Sequence, residues 1–577
     1  MASRCRHLLV RLAVSLAACI PGTARAQEAA PAWGDTDIRI SPLVTLSSHG
    51  YLRLRYNVFY RMDLGAGGAS GFQVPLDSTA RNRPLGESTS TIQSGNLRFR
   101  YEPSLRVGEL LTVQARVDFF DNLEFGGTPA FGDVSTPFVF AARTEAPPSD
   151  GRTGFRDSVR VHAAWADLRL FHRIHFYGGR LPERFGLGIV RSDGSALDSD
   201  HGDHVDALFF KVRLPAASLR LGMEFPGEGA VAESPFRIAL DPHDPEQFDD
   251  INRWVFVFDS APTEPDEVAE RRRRLTEERR PVVDWGMYHS ITRQGLSSDK
   301  NDPAVAVKLP DQCAGVRSGV PIDQDASCYA LTPRSAFFWT PSLWGRLLYR
   351  PRPDLAIRLE AELAMVYGRI NYTQSFLNAA EESTKKRFFS VGAAFEFELD
   401  AGPHNVRLFS GVASGDGTSR RFGILDGHTI AQPDDAAYRN EATRDSAVAQ
   451  NASVRSFAFN PDYRVDSILF REVIGTVTNA FYFKPAYHRV LLRSGPHALG
   501  GGLSVLAAFA TDPDGTPGRR RPLGVEVGAD VFYRVGRGLL LRLDTAMLFP
   551  LSGLRIPESA SSAQPAFALR LMTAVTF

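Results

Sequence analysis

The sequence predicts an all-β fold, a transmembrane antiparallel β-barrel of about sixteen strands, with fourteen to eighteen compatible with the pattern. Three observations carry this reading. Apolar residues recur at every second position in segment after segment, the period of a strand with two different faces. Long and short connections alternate between those segments, as in bacterial barrels with short periplasmic turns and long outer loops. Finally, the chain stops on Phe577 after Phe567, Leu569, Leu571, Thr573 and Val575 have alternated with Ala568, Arg570, Met572, Ala574 and Thr576. An apolar strand with a free edge templates aggregation in water. In a closed barrel the same strand pairs with the first one and turns its outer face to lipid.

Taken in order, the chain begins with a positive head (Arg4, Arg6, His7, Arg11), a short apolar run from Leu12 to Ile20, the breakers Pro21 and Gly22, and Ala24-Arg25-Ala26. This reads as a secretory signal peptide over residues 1–26, too short to span a membrane as a helix. The run Leu16-Ala17-Ala18-Cys19 also fits a lipoprotein box, which leaves lipidation of Cys19 open. Residues 27–44 read as a periplasmic lead and 45–577 as the barrel. No other stretch is long and apolar enough for a transmembrane helix. The expected location is therefore the outer membrane of a Gram-negative bacterium after signal cleavage, and the expected partners are the lipid bilayer and the barrel-assembly machinery. Phe577 resembles the C-terminal assembly signal of such barrels.

Alternation sets in with Leu52, Leu54, Tyr56 and Val58 against Arg53, Arg55 and Asn57, and recurs in Asn96–Tyr101 and Leu111–Phe119. Strands are expected at 45–60, 95–104, 110–120, 158–170, 174–181, 204–214, 217–226, 336–349, 355–370, 387–399, 404–414, 476–484, 498–511, 523–535, 538–549 and 565–577. Short connections carry turn residues, such as Leu214-Pro215, Pro351-Arg352-Pro353, Gly402-Pro403 and Gly536-Arg537-Gly538. The largest outer loops are expected at 227–335 and 415–475. The weak point is 485–497, where Arg489 to Arg493 has strand character.

Composition excludes some functions. The 66 basic and 66 acidic side chains cancel, so nothing points to a nucleic-acid partner. At 43% apolar the 577-residue chain is too polar for an inner-membrane protein. After the signal only Cys313 and Cys328 remain, and in an exported protein they read as one disulfide.

Strand parity gives the lumen. Arg53, Arg55, Arg98, Arg100, Arg116, Arg358, Arg542 and Arg570 should face inward, with Asp118, Glu360, Glu362 and Asp544. Arg220, Arg407, Arg534, Glu224, Glu396, Glu398, Glu526 and Asp530 join them on the same count. The first three strands contribute mostly arginine and the later ones more carboxylate. Either these charges set a field across the lumen, or they pair and hydrate the wall.

Three loop features stand out. Asp198, Asp200 and Asp203 with Gly202 offer hard oxygen ligands that a calcium ion takes, although EF-hand spacing and a closing Glu are missing. The alternative is a polar loop whose carboxylates cap local turns. No other cofactor is expected. In the second feature, Asn460 is a good N-cap, Pro461 suits the first helical position and Gly475 ends a helix. A short helix with Val465, Ile468, Leu469 and Val473 on one face would pack into the lumen as a constriction or cover the rim. The third is the run from Glu270 to Arg280, a solvated helix laced by Glu–Arg pairs, or a surface for lipopolysaccharide phosphates. Catalysis has no comparable signal. Histidines are scattered, and no nucleophile or metalloprotease motif accompanies them, so the chain is not expected to be an enzyme.

Two motifs carry a resemblance. One is Gly179-Arg180-Leu181-Pro182 … Phe185-Gly186-Leu187-Gly188-Ile189 … Asp193-Gly194 … Leu197-Asp198 … Asp200 … Gly202-Asp203 … Val205-Asp206. The other is Phe457 … Phe459-Asn460-Pro461-Asp462-Tyr463-Arg464-Val465-Asp466 … Leu469-Phe470-Arg471-Glu472 … Gly475 … Val477-Thr478-Asn479-Ala480 … Tyr482-Phe483-Lys484-Pro485. Both resemble an uncharacterised family of outer-membrane barrels from myxobacteria. In many of its members cysteines flank the Leu-Asp pair; here Ser195 and Ser199 stand at those positions, so no role of those cysteines carries over. More distantly, the stretch ending in Tyr482-Phe483-Lys484-Pro485 is similar to part of the alginate-export porins. That similarity implies a large channel and does not license alginate as a substrate.

The functional expectation is a porin-like channel that passes polar solutes, or exports a polysaccharide-like polymer, through a charge-lined lumen. The alternative is a plugged structural or adhesin-type barrel that binds a surface partner through its outer loops. An outer-membrane hydrolase ranks third. Substrate and oligomeric state are not legible in the residues.

Overall fold

The computed structural model describes residues 38–62, 64, 91–124, 159–171, 173–227, 251–262, 265–298, 331–371, 386–416, 453–555 and 563–577. The signal segment and the Cys313–Cys328 pair lie outside the described residues.

Eighteen antiparallel strands close into one barrel among the described residues. They are β1 (Val44–Tyr60), β2 (Thr91–Val107), β3 (Leu111–Glu124), β4 (Val159–Leu170), β5 (Ile174–Pro182), β6 (His204–Arg213), β7 (Ser218–Gly227), β8 (Ile251–Asp259), β9 (Val282–Ser298), β10 (Leu331–Arg352), β11 (Leu355–Ile370), β12 (Lys386–Ala401), β13 (His404–Ala413), β14 (Ala480–Ser494), β15 (His497–Phe509), β16 (Pro522–Val535), β17 (Leu539–Pro550) and β18 (Ala566–Thr576). Each pairs with its neighbours in sequence. The barrel closes where β18 meets β1, with Tyr51 opposite Thr576 and Tyr60 opposite Phe567. Two short strands complete the sheet: Ile38–Ser41 folds back on Val44–Leu46, and Ser453–Val454 lies parallel to Arg387–Phe388.

The strand count exceeds sixteen because 227–335 is not a single loop. It carries β8 and β9, joined by helix α1 (Pro265–Thr276). β8 is short and apolar on both faces, so its alternation is weak: Trp254 turns outward while Val255 and Val257 are buried. The Glu270–Arg280 run therefore lies on the short-turn side of the barrel and not in an outer loop. Arg273 and Arg274 both pair with Glu270 there, at 2.9 and 2.8 Å. The other boundary error is at β14, which starts later than expected and runs through 485–494 to a tight turn.

Parity holds around the barrel. On β1, Leu52, Leu54 and Tyr56 are exposed while Arg53, Arg55 and Asn57 are buried. On β18, Phe567, Leu571 and Val575 face out while Ala568, Arg570, Met572 and Ala574 face in. The outer face is a belt of exposed large apolar side chains, among them Phe176, Leu208, Trp254, Leu363, Phe395, Phe483 and Leu503. Water does not tolerate such a surface, and a bilayer does. No described helix is long and apolar enough to cross a membrane; this protein crosses with strands and is an outer-membrane barrel.

At the seam, Phe577 exchanges both backbone hydrogen bonds with Gly50, at 3.0 and 3.1 Å, and its ring packs 5.7 Å from Phe99. A Cβ at Gly50 would meet the Arg100 carbonyl at 2.2 Å and the Phe577 ring at 2.8 Å. Glycine is required there by close approach.

Candidate functional site

The core of this barrel is its lumen. Two connections turn inward, 183–203 between β5 and β6, and 453–479 ahead of β14. They place Ile189, Phe457, Phe459, Ile468, Leu469, Phe470, Ile474 and Val477 in one buried apolar cluster against Tyr482, Leu506 and Leu548 of the wall. A second buried cluster joins Phe185 to Phe209, Val255, Val257 and Tyr288. Apolar side chains inside a barrel need a partner, and the loops supply it.

The 183–203 connection crosses the lumen. It leaves β5 through Gly186 and Gly188, both at positive φ. There Glu362 of β11 accepts hydrogen bonds from the Gly188 and Ile189 amides at 3.0 and 3.3 Å and from Ser342 at 3.0 Å. Glu183 receives a bidentate grip from Arg220, at 2.8 and 2.7 Å. The far end lies on the arginines of β1–β3. Arg53 donates to the Leu197 and Ser199 carbonyls at 2.8 and 3.0 Å, Arg98 to Ser199 at 2.8 Å, Arg100 to Gly194 at 2.7 Å, and Arg116 to the Asp193 carbonyl. Arg100 also holds Asp118 through both nitrogens, at 2.7 and 2.8 Å.

Asp198 and Asp200 sit where the two inward loops meet this ladder. Arg55 donates to Asp200 at 2.7 and 3.0 Å and to Asp198 at 3.0 Å. Arg464 binds both aspartates, Arg471 grips Asp198 at 2.6 and 3.2 Å, and Arg570 stands 3.8 Å from it. Burial pushes both carboxyls up. The guanidinium groups of Arg471 and Arg464 at Asp198, and of Arg464 and Arg55 at Asp200, override it and hold both well below the usual carboxylate range.

Asp203 goes elsewhere, capping the Ser192 amide at 2.9 Å and accepting from Asn460 at 2.8 Å. The three carboxylates expected to hold calcium, Asp198, Asp200 and Asp203, are thus divided between two sets of donors. Asp198 and Asp200 are held by guanidinium groups, and Asp203 by the Ser192 amide and the Asn460 side chain. The disulfide expectation cannot be placed.

Asp462 stitches the loops together. It accepts from the Asp200 amide at 3.1 Å, from Ser192 at 3.3 Å, and from Ser199. Asn460 forms an Asx turn, accepting from the Asp462 amide at 3.0 Å, instead of capping a helix. The helical stretch is shorter than expected, a π-turn over Leu469–Ile474 ended by Gly475 at φ 96°. Glu526 of β16 accepts the free amides of Ser467, Ile468 and Leu469 at 2.9 to 3.1 Å. Of the two placements the motif allowed, lumen or rim, it takes the lumen.

The twelve arginines and carboxylates expected to line the lumen differ in their environments. Arg53, Arg55, Arg98, Arg100, Arg116, Asp118, Glu360, Glu362 and Arg570 are buried, most of them beneath the loops. Arg358 and Arg542 keep 32% and 37% of their side chains accessible, and Asp544 keeps 19%. With Glu396, Arg407, His488 and Asp530 they form a wet wall of paired charges on β11–β17: Arg407–Glu398 at 2.8 Å, His488–Asp530 at 2.9 Å and Arg542–Asp544 at 2.7 Å. Of the two readings of these charges, pairing prevails. Parity missed Arg464, Arg471, Asp462 and Asn460, since loops have no period; the signal that marked them was the motif from Phe457 to Gly475.

No family model matches the chain, and no curated protein matches it. The myxobacterial and alginate-porin resemblances are therefore not shown. Among solved structures, the chain is similar to OccK9 (OpdG) of Pseudomonas aeruginosa (11% identity, 92% of this chain and 98% of that one, TM-score 0.44). It is similar also to OccAB2 of Acinetobacter baumannii (9%, 92% and 98%, TM-score 0.43). A BenF-like porin from Pseudomonas fluorescens matches likewise (11%, 92% and 98%, TM-score 0.41).

Proposed function

We propose that this protein is an outer-membrane channel for small polar solutes, narrowed by its two inward loops, and that it is not an enzyme. The observation that carries this reading is the asymmetry of the lumen. One side is sealed by 183–203 lying on the arginine ladder, and the other keeps the accessible charged wall of Arg358, Arg542 and Asp544. Rows of paired charges keep a narrow water path hydrated at low cost. Polymer export does not suit a lumen crossed by two packed loops. Phe577 is the residue the assembly machinery would read, and its contacts at Gly50 tie that signal to the seam.

Planar-bilayer recording of the refolded full chain tests this. A small, stable single-channel conductance is expected, and it should rise when residues 194–201 are replaced by a short Gly-Ser linker. If both forms are silent, the channel is refuted. The second reading, a plugged structural or adhesin-type barrel, is favoured by the fully buried apolar cluster around Ile468 and Leu469. It expects a silent wild type, with conductance only after the loop is removed.

A further inference from the structure

Two β-bulges face each other near the outer end of β3 and β4. On β3, the four residue steps from Phe119 to Leu123 lie against only two on β2, from Phe99 to Leu97. Phe120 and Asn122 within this stretch adopt left-handed backbone, at φ 56° and 53°. On β4, Val161 pairs with Val117 and Ala163 with Arg116, so His162 is the extra residue. A bulge re-aims side chains that regular pleating would turn away. Here the pair of bulges brings Asp121 and His162 to the same point as inward-facing Asp118.

We propose that Asp118, Asp121 and His162 form a binding site for a divalent transition-metal ion of the zinc class. Their ligand atoms lie within 4.8 Å of one another. His162 Nε2 stands 3.3 Å from Asp118 Oδ2 and 3.2 Å from Asp121 Oδ2. A tetrahedral ion with bonds of about 2.0–2.1 Å separates neighbouring ligands by about 3.3 Å, so two edges already have the right length. The Nε2 atom is buried and faces both carboxylates.

The surroundings hold the carboxylates in place. Arg100 donates to Asp118 at 2.7 and 2.8 Å, Arg98 bridges Asp118 and Asp121 at 3.3 and 2.7 Å, and Arg160 is 3.4 Å from Asp121. These groups orient both aspartates, and their positive charge weakens the site. His162 keeps 23% of its side chain accessible and Asp121 10%, while Asp118 is fully buried. The imidazole selects zinc-like ions over calcium, which prefers an all-oxygen shell. The proposal is independent of whether the barrel conducts.

The test is equilibrium dialysis of the refolded full chain against ZnCl2, with CaCl2 in parallel and Co2+ absorption as a readout of coordination. One Zn2+ per chain is expected, with tetrahedral Co2+ bands. His162→Gln and Asp121→Asn should each weaken binding about tenfold or more. Heat-modifiable gel mobility identifies variants that remain folded barrels. Stoichiometric Zn2+ binding that His162→Gln leaves unchanged would overturn the site, as would no saturable binding, or Ca2+ binding as tight as Zn2+.

Discussion

Replacing Asp200 by Asn isolates the latch that closes the lumen. The Asp200 side chain is 2% exposed and accepts from Arg55 at 2.7 and 3.0 Å, with Arg53 at 3.4 Å, Arg471 at 3.6 Å and Arg464 also in contact. The amide keeps the shape and removes the charge, leaving these guanidinium groups crowded without their counter-ion. Removing one partner of a buried ion pair costs about 3–5 kcal/mol. The strands are held by ladders on both edges, whereas 193–200 is held mainly by these polar contacts. The cost should therefore appear as loop opening, not barrel unfolding. At about 1.4 kcal/mol per tenfold, the open population should rise by two to three and a half orders of magnitude. Single-channel recording should show larger or more frequent openings, and amide exchange at residues 192–203 should accelerate while the strands stay protected. Asp206→Asn is the control. Its pair with Arg180 at 2.6 Å is half exposed, so its loss should cost under about 1 kcal/mol. Unchanged conductance and exchange in Asp200→Asn would refute the latch.

Four further outcomes follow from the same geometry. The depressed Asp198 and Asp200 carboxyls contribute stability above the unfolded carboxylate pKa of about 4 and lose it only as pH falls through their lower folded values; loop opening between pH 8 and pH 5, read by exchange or conductance, would contradict this. Leu541→Arg or Leu571→Arg, both on the lipid face, should destabilise the barrel by about 2–4 kcal/mol in urea titrations. Parity alone suggests that inward Ala546 tolerates Arg, but it is 2% exposed within the apolar cluster, so Ala546→Arg should cost at least as much. Gly50→Ala should lower refolding yield and stability by about 1–3 kcal/mol, and wild-type stability would show that the seam can shift.

Much of this protein was legible without coordinates. Leu52 to Val58 and Phe567 to Phe577 state their two faces in their own spacing, because a strand shows each face a fixed set of residues whatever it packs against. That set Arg53, Arg55 and Arg570 inward and paired the ends of the chain. β8 escaped, since a strand with apolar residues on both faces has no contrast to read: Val255 and Val257 meet the buried Phe185 cluster inside while Trp254 meets lipid outside.

The lumen itself was decided only by tertiary structure. A carboxylate written into a loop carries no indication of its partner, and Asp198, Asp200 and Asp203 read either as turn caps or as ligands for a cation. Folding brings Arg55 from β1, Arg464 and Arg471 from a loop more than 260 residues away, and Arg570 from the last strand onto two of them. The sequence by itself determined the wall of this barrel, because pleating is local. What fills the wall depends on contacts between distant segments, which no spacing along the chain records.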